Sequence, residues 1–582
     1  MSLILQRLLH PHLAAGAARQ ASSTTSQPAP LHPVWVVVLI STWLATACNV
    51  PLWREVAQLP GQGSLRGWGF AVAFAIIVAA GNAALLSLLA WRWTLKPAAA
   101  LMVVMAAFGA YFMLAYGIAI DASMLTNVLQ TDAHETTDLL SWRMLFTVLA
   151  LAAPPLLWLY RTPLQRLGAL RHAAHNAALL GGAVALAVLC LLLVFQDFAS
   201  TMRNHTRLRY LINPLNSVYA LGHIATRPLR MNTTQLLPVG RDAQLGASYA
   251  GQAKSPLLVL VLGETGRSGN FGINGYERNT TPLLAARTDL VSARNAWSCG
   301  TSTAASVPCM FSHLGRTGYE ARAANFESLI DVLHHAGLAV LWVDNQSGCK
   351  GVCDRIGETL TSAPKSPTPD PALCPGGECL DRVMLQDLDT RIAALPAEQR
   401  QRGTVVVLHQ MGSHGPAYYK RSAPDNKKFG PECTSTALQE CERQQVVNAY
   451  DNSVVETDFF LDSVLKWLAA QDSKAQTAMI YVADHGESLG ENNLYLHGLP
   501  YSIAPDVQKH VPWITWLSPA MQARTQVATG CLQHELAERR ITHDNYFHSV
   551  LGLMDVKTGA YSTGLDMFAS CRQAAGAARA AG

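Results

Sequence analysis

The sequence is short of charge. Lys, Arg, Asp and Glu make up 14% of its 582 residues, against ~25% in an ordinary soluble protein. Half of the residues are hydrophobic and the mean hydropathy is +0.15, so part of the chain belongs in a membrane. The basic excess is also small, 44 Lys and Arg against 40 Asp and Glu. No basic-aromatic stripe accompanies it, which argues against a nucleic-acid partner.

The charges are missing most completely from five apolar stretches, near Val34–Val50, Gly69–Trp91, Ala98–Ile120, Met144–Tyr160 and Ala178–Phe195. None contains Asp, Glu, Lys or Arg, and each is close to the ~20 residues that span a bilayer. Ionisable groups inside a membrane mark ion relays and transport pathways. Their absence points to an anchor and platform. Arg92 and Lys96 follow the second stretch, and Arg161, Arg166 and Arg171 follow the fourth. The positive-inside rule puts these connections in the cytoplasm. The N-terminal tail is then inside, and the loop Asp121–Asp138 and everything beyond the fifth stretch are outside.

Cysteine supports this orientation. Cys48 and Cys190 lie in apolar stretches, and the other ten run from Cys299 onward. Eight form close pairs, 299 with 309, 349 with 353, 374 with 379 and 433 with 441, leaving Cys531 and Cys571 as a possible fifth. Disulfides persist in oxidising compartments. A zinc site at Cys349 and Cys353 is the rival reading, but no second pair completes four ligands. The expected organisation is a cytoplasmic tail over 1–33, a five-helix transmembrane domain over 34–195, a linker over 196–251 and an extracytoplasmic domain over 252–582. In the linker, arginines 203, 207 and 209 interleave with Met202, Leu208, Leu211 and Ile212. That pattern suits a helix on the membrane surface, or one packed on the domain.

The outer domain reads as α/β. Leu257–Gly263, Ala339–Val343, Thr404–Leu408 and Ala478–Ala483 are short apolar runs of the buried parallel-strand type. They alternate with helical segments such as Phe326–Ala336 and Val446–Ala470, which implies a mainly parallel sheet. Polar residues follow each run: Glu264, then Asp344, then His409 and His414, then Asp484 and His485. Ligand sites in open α/β sheets collect beyond the carboxyl ends of the strands, so these residues should meet at one edge. Carboxylates and imidazoles there, with His497 twelve residues after His485, form a donor set for zinc or a similar divalent metal. The second element is the hydroxyl-rich loop Trp297–Cys309. A hydroxyl at a helix start beside a metal can act as nucleophile, and Thr301, Ser302, Thr303 and Ser306 are all candidates. Together these features suggest a metal-activated alkoxide that attacks phosphorus or sulfur at the outer membrane face.

The runs Gly263–Pro282, Ser298–Ser312, Gly412–Pro416 and Ala483–Gly490 with Leu496–Gly498 resemble the lipid A phosphoethanolamine transferases. These are relatives of the mobile colistin-resistance enzymes, within the alkaline-phosphatase and sulfatase-like superfamily. The resemblance covers nearly the whole chain, departing mainly at Thr265–Gly269. It implies Thr303 as nucleophile and Glu264, Asp484, His485 and Thr303 as zinc ligands. It implies that His414 and His497 bind a second zinc or the transferred group and exchange protons. His409, Ser347 and Lys350 would contact substrate, and Asn127, Thr131 and Glu135 of the outer loop would hold phosphoethanolamine. The implied function is transfer of phosphoethanolamine from phosphatidylethanolamine to lipid A by a monomer of the bacterial inner membrane, giving polymyxin resistance. Transfer to another envelope glycan, a tethered phosphatase or sulfatase, and a non-enzymatic lipid sensor are the alternatives.

Overall fold

The computed structural model describes residues 29–130, 133–356, 360–362 and 370–572. Most of the expected N-terminal tail therefore lies outside the described residues. Among the described residues five helices are long and apolar enough to cross a membrane: α1 (Pro33–Ala57), α2 (Leu65–Leu88), α3 (Leu95–Tyr116), α6 (Trp142–Arg161) and α7 (Ala169–Leu193). Between α3 and α6 lie two short helices, α4 (Ala122–Gln130) and α5 (Ala133–Leu139). Local signals set the ends. Ser64 caps α2 by accepting from Gly67 N at 3.1 Å, and Ser141 caps α6 by accepting from Met144 N at 3.1 Å. Gly117 closes α3 in the left-handed conformation, φ 69°. Trp142 and Tyr160, at opposite ends of α6, are exposed, as in the aromatic belts of membrane proteins.

The linker helix α8 (Phe195–Asn204) has no buried residue, but Leu208 and Leu211 after it pack with Leu52, Phe70 and Met113 of the bundle. Asn213 is buried there, and its Nδ2 donates to Cys48 O at 2.9 Å and Ala106 O at 2.7 Å. The chain is thus pinned to the bundle before α9 (Leu215–Ala225), which packs on α4.

The outer domain is built on strands β1 (Ser255–Gly263), β2 (Leu290–Trp297), β3 (Ala339–Asp344), β4 (Leu360–Ser362), β5 (Thr404–His409), β6 (Ala475–Ala483), β7 (His510–Leu517) and β8 (Ile541–Thr542). They form one eight-stranded sheet in the order β8-β2-β7-β6-β1-β5-β3-β4. Only β7 runs antiparallel to its neighbours. The sheet is mixed and mostly parallel. Alternation along the strands feeds two cores: Leu258, Leu260 and Leu262 pack with Val405 and Ile480 on one face, and Val259 and Val261 with Val406 and Met479 on the other. Its helices include α10 (Thr303–Met310), α11 (Leu329–His335) and the long α12 (Arg443–Gln471). Cysteines pair 299 with 309, 349 with 353, 374 with 379, 433 with 441 and 531 with 571. Cys349 and Cys353 are therefore joined to each other.

Candidate active site

Strand register assembles the site. Gly263 of β1 lies opposite Ala483 of β6, and His409 of β5 lies opposite both Leu262 and Asp344. Glu264, Asp484, His485, His409 and Asp344 therefore share one sheet edge. Gly412 lets the β5 loop close over it: a Cβ at Gly412 would stand 2.6 Å from Glu264 O, and its φ is +51°.

The hydroxyl-rich loop delivers one side chain to this edge. Thr303 Oγ1 lies 3.2 and 3.0 Å from the two carboxylate oxygens of Glu264 and 3.4 Å from His485 Nε2. Two of the other candidates are committed elsewhere: Thr301 Oγ1 donates to Leu499 O at 2.6 Å, and Ser306 Oγ donates to Asp484 O at 2.5 Å. Ser302 is the N-cap residue of α10, so Thr303 stands in the first turn, where backbone amides favour an anion.

Glu264, Asp484 and His485 are fully buried, and one ligand atom from each lies within 4.8 Å of the others. Asp484 Oδ1 accepts from Thr265 N at 3.1 Å and His485 N at 2.7 Å, whereas its Oδ2, also buried, accepts no hydrogen bond. His485 Nδ1 bonds to Gly486 O at 2.9 Å, which fixes the tautomer and leaves Nε2 a lone pair toward the cluster. The field of the cluster favours positive charge, whether a proton on His485 or a metal ion in its place. Burial, and then the nearby Glu264 carboxylate, pushes Asp484 up to about 7. Against its burial, His485 is raised to about 10 by Asp484 and Glu264. Burial also works to raise Glu264, but the imidazoles of His485, His414 and His497 hold it well below the usual carboxylate range. Two buried carboxylates, an orphaned oxygen, an oriented imidazole and a hydroxyl are a donor set that fits a divalent metal such as zinc.

Three of the other expected residues, His497, His414 and His409, stand around this cluster. The rings of His485 and His497 are 4.2 Å apart between centroids, and those of His497 and His414 are 5.9 Å apart. His409 Nδ1 is 3.2 Å from Asp344 Oδ2, and its Nε2 is buried with no hydrogen-bond partner. Burial alone would lower His409, but Asp344 raises it. Lys350 Nζ donates to Ser347 Oγ at 2.6 Å, so this pair is brought together on the loop after β3. Asn127 lies on α4, which packs against α10 beside the nucleophile loop, and a Cβ on Gly498 would meet Met124 Sδ of the same helix at 2.9 Å. Thr131 and the side chain of Glu135 lie outside the described residues.

Three contributors lie outside the residues singled out from the sequence. Glu487 Oε2 lies 3.0 Å from His497 Nδ1, and burial raises this carboxyl to about 8. Asp381 holds the loop after β5, accepting from Met411 N at 2.7 Å and Gly412 N at 3.0 Å. His543 Nδ1 accepts from Cys299 N at 3.1 Å while its Nε2 faces Ala483 O at 3.1 Å. It joins the loop of Thr303 to the strand end of Asp484 as a neutral imidazole, since burial lowers it to about 3.

Known proteins share this architecture. The family model Sulfatase matches residues 256–556, and the model Phosphoethanolamine transferase EptA/EptB matches residues 78–229. The chain is 36% identical to Phosphoethanolamine transferase EptA of Escherichia coli K12, over 92% of this chain and 96% of that one. It is 35% identical to Phosphatidylethanolamine transferase Mcr-1 of Escherichia coli, over 90% of this chain and 95% of that one. The solved integral membrane lipooligosaccharide phosphoethanolamine transferase A of Neisseria meningitidis superposes with a TM-score of 0.87 at 33% identity, covering 94% of this chain and all of that one. With five spanning helices, a sulfatase-like outer domain and a buried Thr-Glu-Asp-His cluster, the chain belongs to the EptA family of phosphoethanolamine transferases.

Proposed function

We propose that the protein moves phosphoethanolamine from phosphatidylethanolamine to a phosphate of lipid A through a covalent intermediate on Thr303, at the periplasmic face of the bacterial inner membrane. The observation that carries this reading is the approach of Thr303 Oγ1 to Glu264 at 3.0 Å and to His485 at 3.4 Å, in a chain of this family. Glu264, Asp484 and His485 would hold zinc with Thr303 as the further oxygen, His414 and His497 standing where a second ion or the transferred group would be met. Zinc supplies a lowered hydroxyl pKa and charge stabilisation at phosphorus.

In the first step Thr303 Oγ forms a bond to phosphorus as the bond to the glycerol oxygen breaks. The threonine proton leaves and diacylglycerol takes one up, with His414 or His497 as the exchanging imidazole. In the second, a phosphate oxygen of lipid A bonds to the same phosphorus and Thr303 leaves, recovering its proton. His409, Ser347 and Lys350 are assigned to the transferred group, and Asn127, Thr131 and Glu135 to its donor, the Glu135 carboxylate being suited to the ammonium. Lys350 suits the phosphate as a point charge. Adding an ammonium to lipid A offsets its negative charge, so cationic peptides and polymyxins are drawn less strongly to the surface.

Intact-mass analysis after mixing the purified protein with phosphatidylethanolamine tests the first step. A phosphoethanolamine adduct is expected, assigned to the peptide carrying Thr303 after digestion, absent when zinc is chelated before mixing and regained when zinc is restored. Release of phosphoethanolamine to water with no lipid modified contradicts transfer and favours a hydrolase.

A further inference from the structure

A polar cavity lies between the bundle and the outer domain. It encloses about 410 Å3. The outer ends of α1, α3 and α6 form one side, and Gln439, Asn493 and Tyr495 of the outer domain form the other. Three arginines line it, Arg54, Arg143 and Arg207, and among the described residues Glu55 is the one acidic side chain in its wall. Glu55 is taken by Arg207 at 3.1 Å. Arg207 also donates from Nη2 to Gly117 O at 2.9 Å, while its Nε is buried and meets no acceptor. Arg143 reaches Glu440 only at 3.7 Å, with both side chains about half exposed, a distance at which an ion pair contributes little. Arg54 is exposed, and none of the described carboxylates pairs with it.

A cavity walled by guanidinium groups in excess of carboxylates selects an anion, and the planar fork of arginine matches phosphate. Its depth narrows the choice. The cavity sits where the spanning helices end, the level of lipid headgroups. We propose that this cavity binds the phosphate of a membrane lipid. The phosphate can come from a phospholipid headgroup or from a phosphorylated glycolipid, and its purpose in transfer rests on the function proposed above. The wall itself leads to the site: Tyr495 begins the two-residue strand that ends at Leu496, next to His497. A bound phosphate would therefore rest on the hairpin that carries His497.

Lipid retention by the full-length Thr303→Ala protein, followed by native mass spectrometry in detergent, tests this without turnover. The probes are phosphatidylethanolamine, lipid A and dephosphorylated lipid A. Arg54→Gln with Arg143→Gln should weaken retention of at least one phosphorylated probe about tenfold, the loss of one charge-assisted contact. Arg54→Gln alone, at an exposed side chain, should give part of that loss with an unchanged melting temperature. Arg66→Gln is the control, since Arg66 is exposed on the same side of the bundle but paired with Asp197 at 2.8 Å; it should leave retention unchanged. Loss confined to lipid A identifies the acceptor as the occupant, and loss confined to phosphatidylethanolamine identifies the donor. Either supports the cavity. Retention of both phosphorylated probes by the double variant at the parent level overturns it, as does a loss of lipid A retention that is equal with and without its phosphates. Because no turnover is needed, failure of the Thr303 chemistry would leave this result standing.

Discussion

Gly117, which ends the third spanning helix, lies directly beneath Asn493 of the outer domain. A Cβ on Gly117 would stand 2.7 Å from Asn493 O and 2.9 Å from the Leu494 side chain, and the residue's φ is +69°. The contact joins the membrane bundle to the hairpin that runs on to His497. Catalytic domain and anchor are thus fitted to each other at a point where only glycine has room, close to the active site in sequence.

Gly117→Ala should therefore lower stability by about 1–3 kcal/mol, from left-handed strain and an overpacked contact, and reduce transfer with it. Gly69→Ala is the matched control, because a Cβ there meets nothing within 4 Å. Thermal unfolding of the full-length protein should show a lower melting temperature for the first variant only. Equal melting temperatures would remove Gly117 from the interdomain fit.

His543 is a positioning residue. Its ring ties Cys299 N to Ala483 O, the two backbones that carry Thr303 and Asp484. His543→Ala should lower kcat by about 10²-fold, as misplacement of a nucleophile does, with the donor KM and zinc content unchanged. His543→Gln, which can still accept and donate, should recover part of the rate. Loss of zinc in parallel with loss of rate would contradict a positioning role.

The start of α11 supplies a pH prediction. Ser328 and Asp331 form a capping box there, and Asp331 also receives Arg355 at 2.7 Å. Burial works to raise the Asp331 pKa, but Arg355 and the Ser328 amide outweigh it, so the folded value lies below the ordinary one. A depressed carboxyl contributes stability that is full above its unfolded pKa of ~3.9 and fades as pH falls through the folded value. Chemical denaturation should find Asp331→Asn less stable than the parent at pH 7, with the gap narrowing below about pH 4. A gap independent of pH would assign the effect to packing.

Much of the frame was legible because it rests on patterns that repeat. The four central strands carry apolar runs, and the apolar stretches at the heart of the five spans lack charge altogether. The strands β2 and β7 escaped because β2 alternates with Ser292, Arg294 and Asn295, while β7 contains Pro512, which argues against a strand. Glu264, Asp484 and His485 were legible as residues beyond strand ends. Thr303 could not be separated from its neighbouring hydroxyls, since the distinction lies in which carbonyl each one meets: Leu499 for Thr301 and Asp484 for Ser306. His543 lies 244 residues from Cys299, its partner, and no local pattern records such a pair.

The central claim is that Thr303 carries phosphoethanolamine to lipid A. Mass spectrometry of lipid A and core oligosaccharide should compare cells lacking such enzymes that express either this protein or its Thr303→Ala variant. The account predicts phosphoethanolamine on a lipid A phosphate with the parent protein and none with the variant, at equal amounts of folded protein in the membrane. Equal modification by Thr303→Ala would contradict the mechanism, and modification of the core oligosaccharide alone would contradict the acceptor.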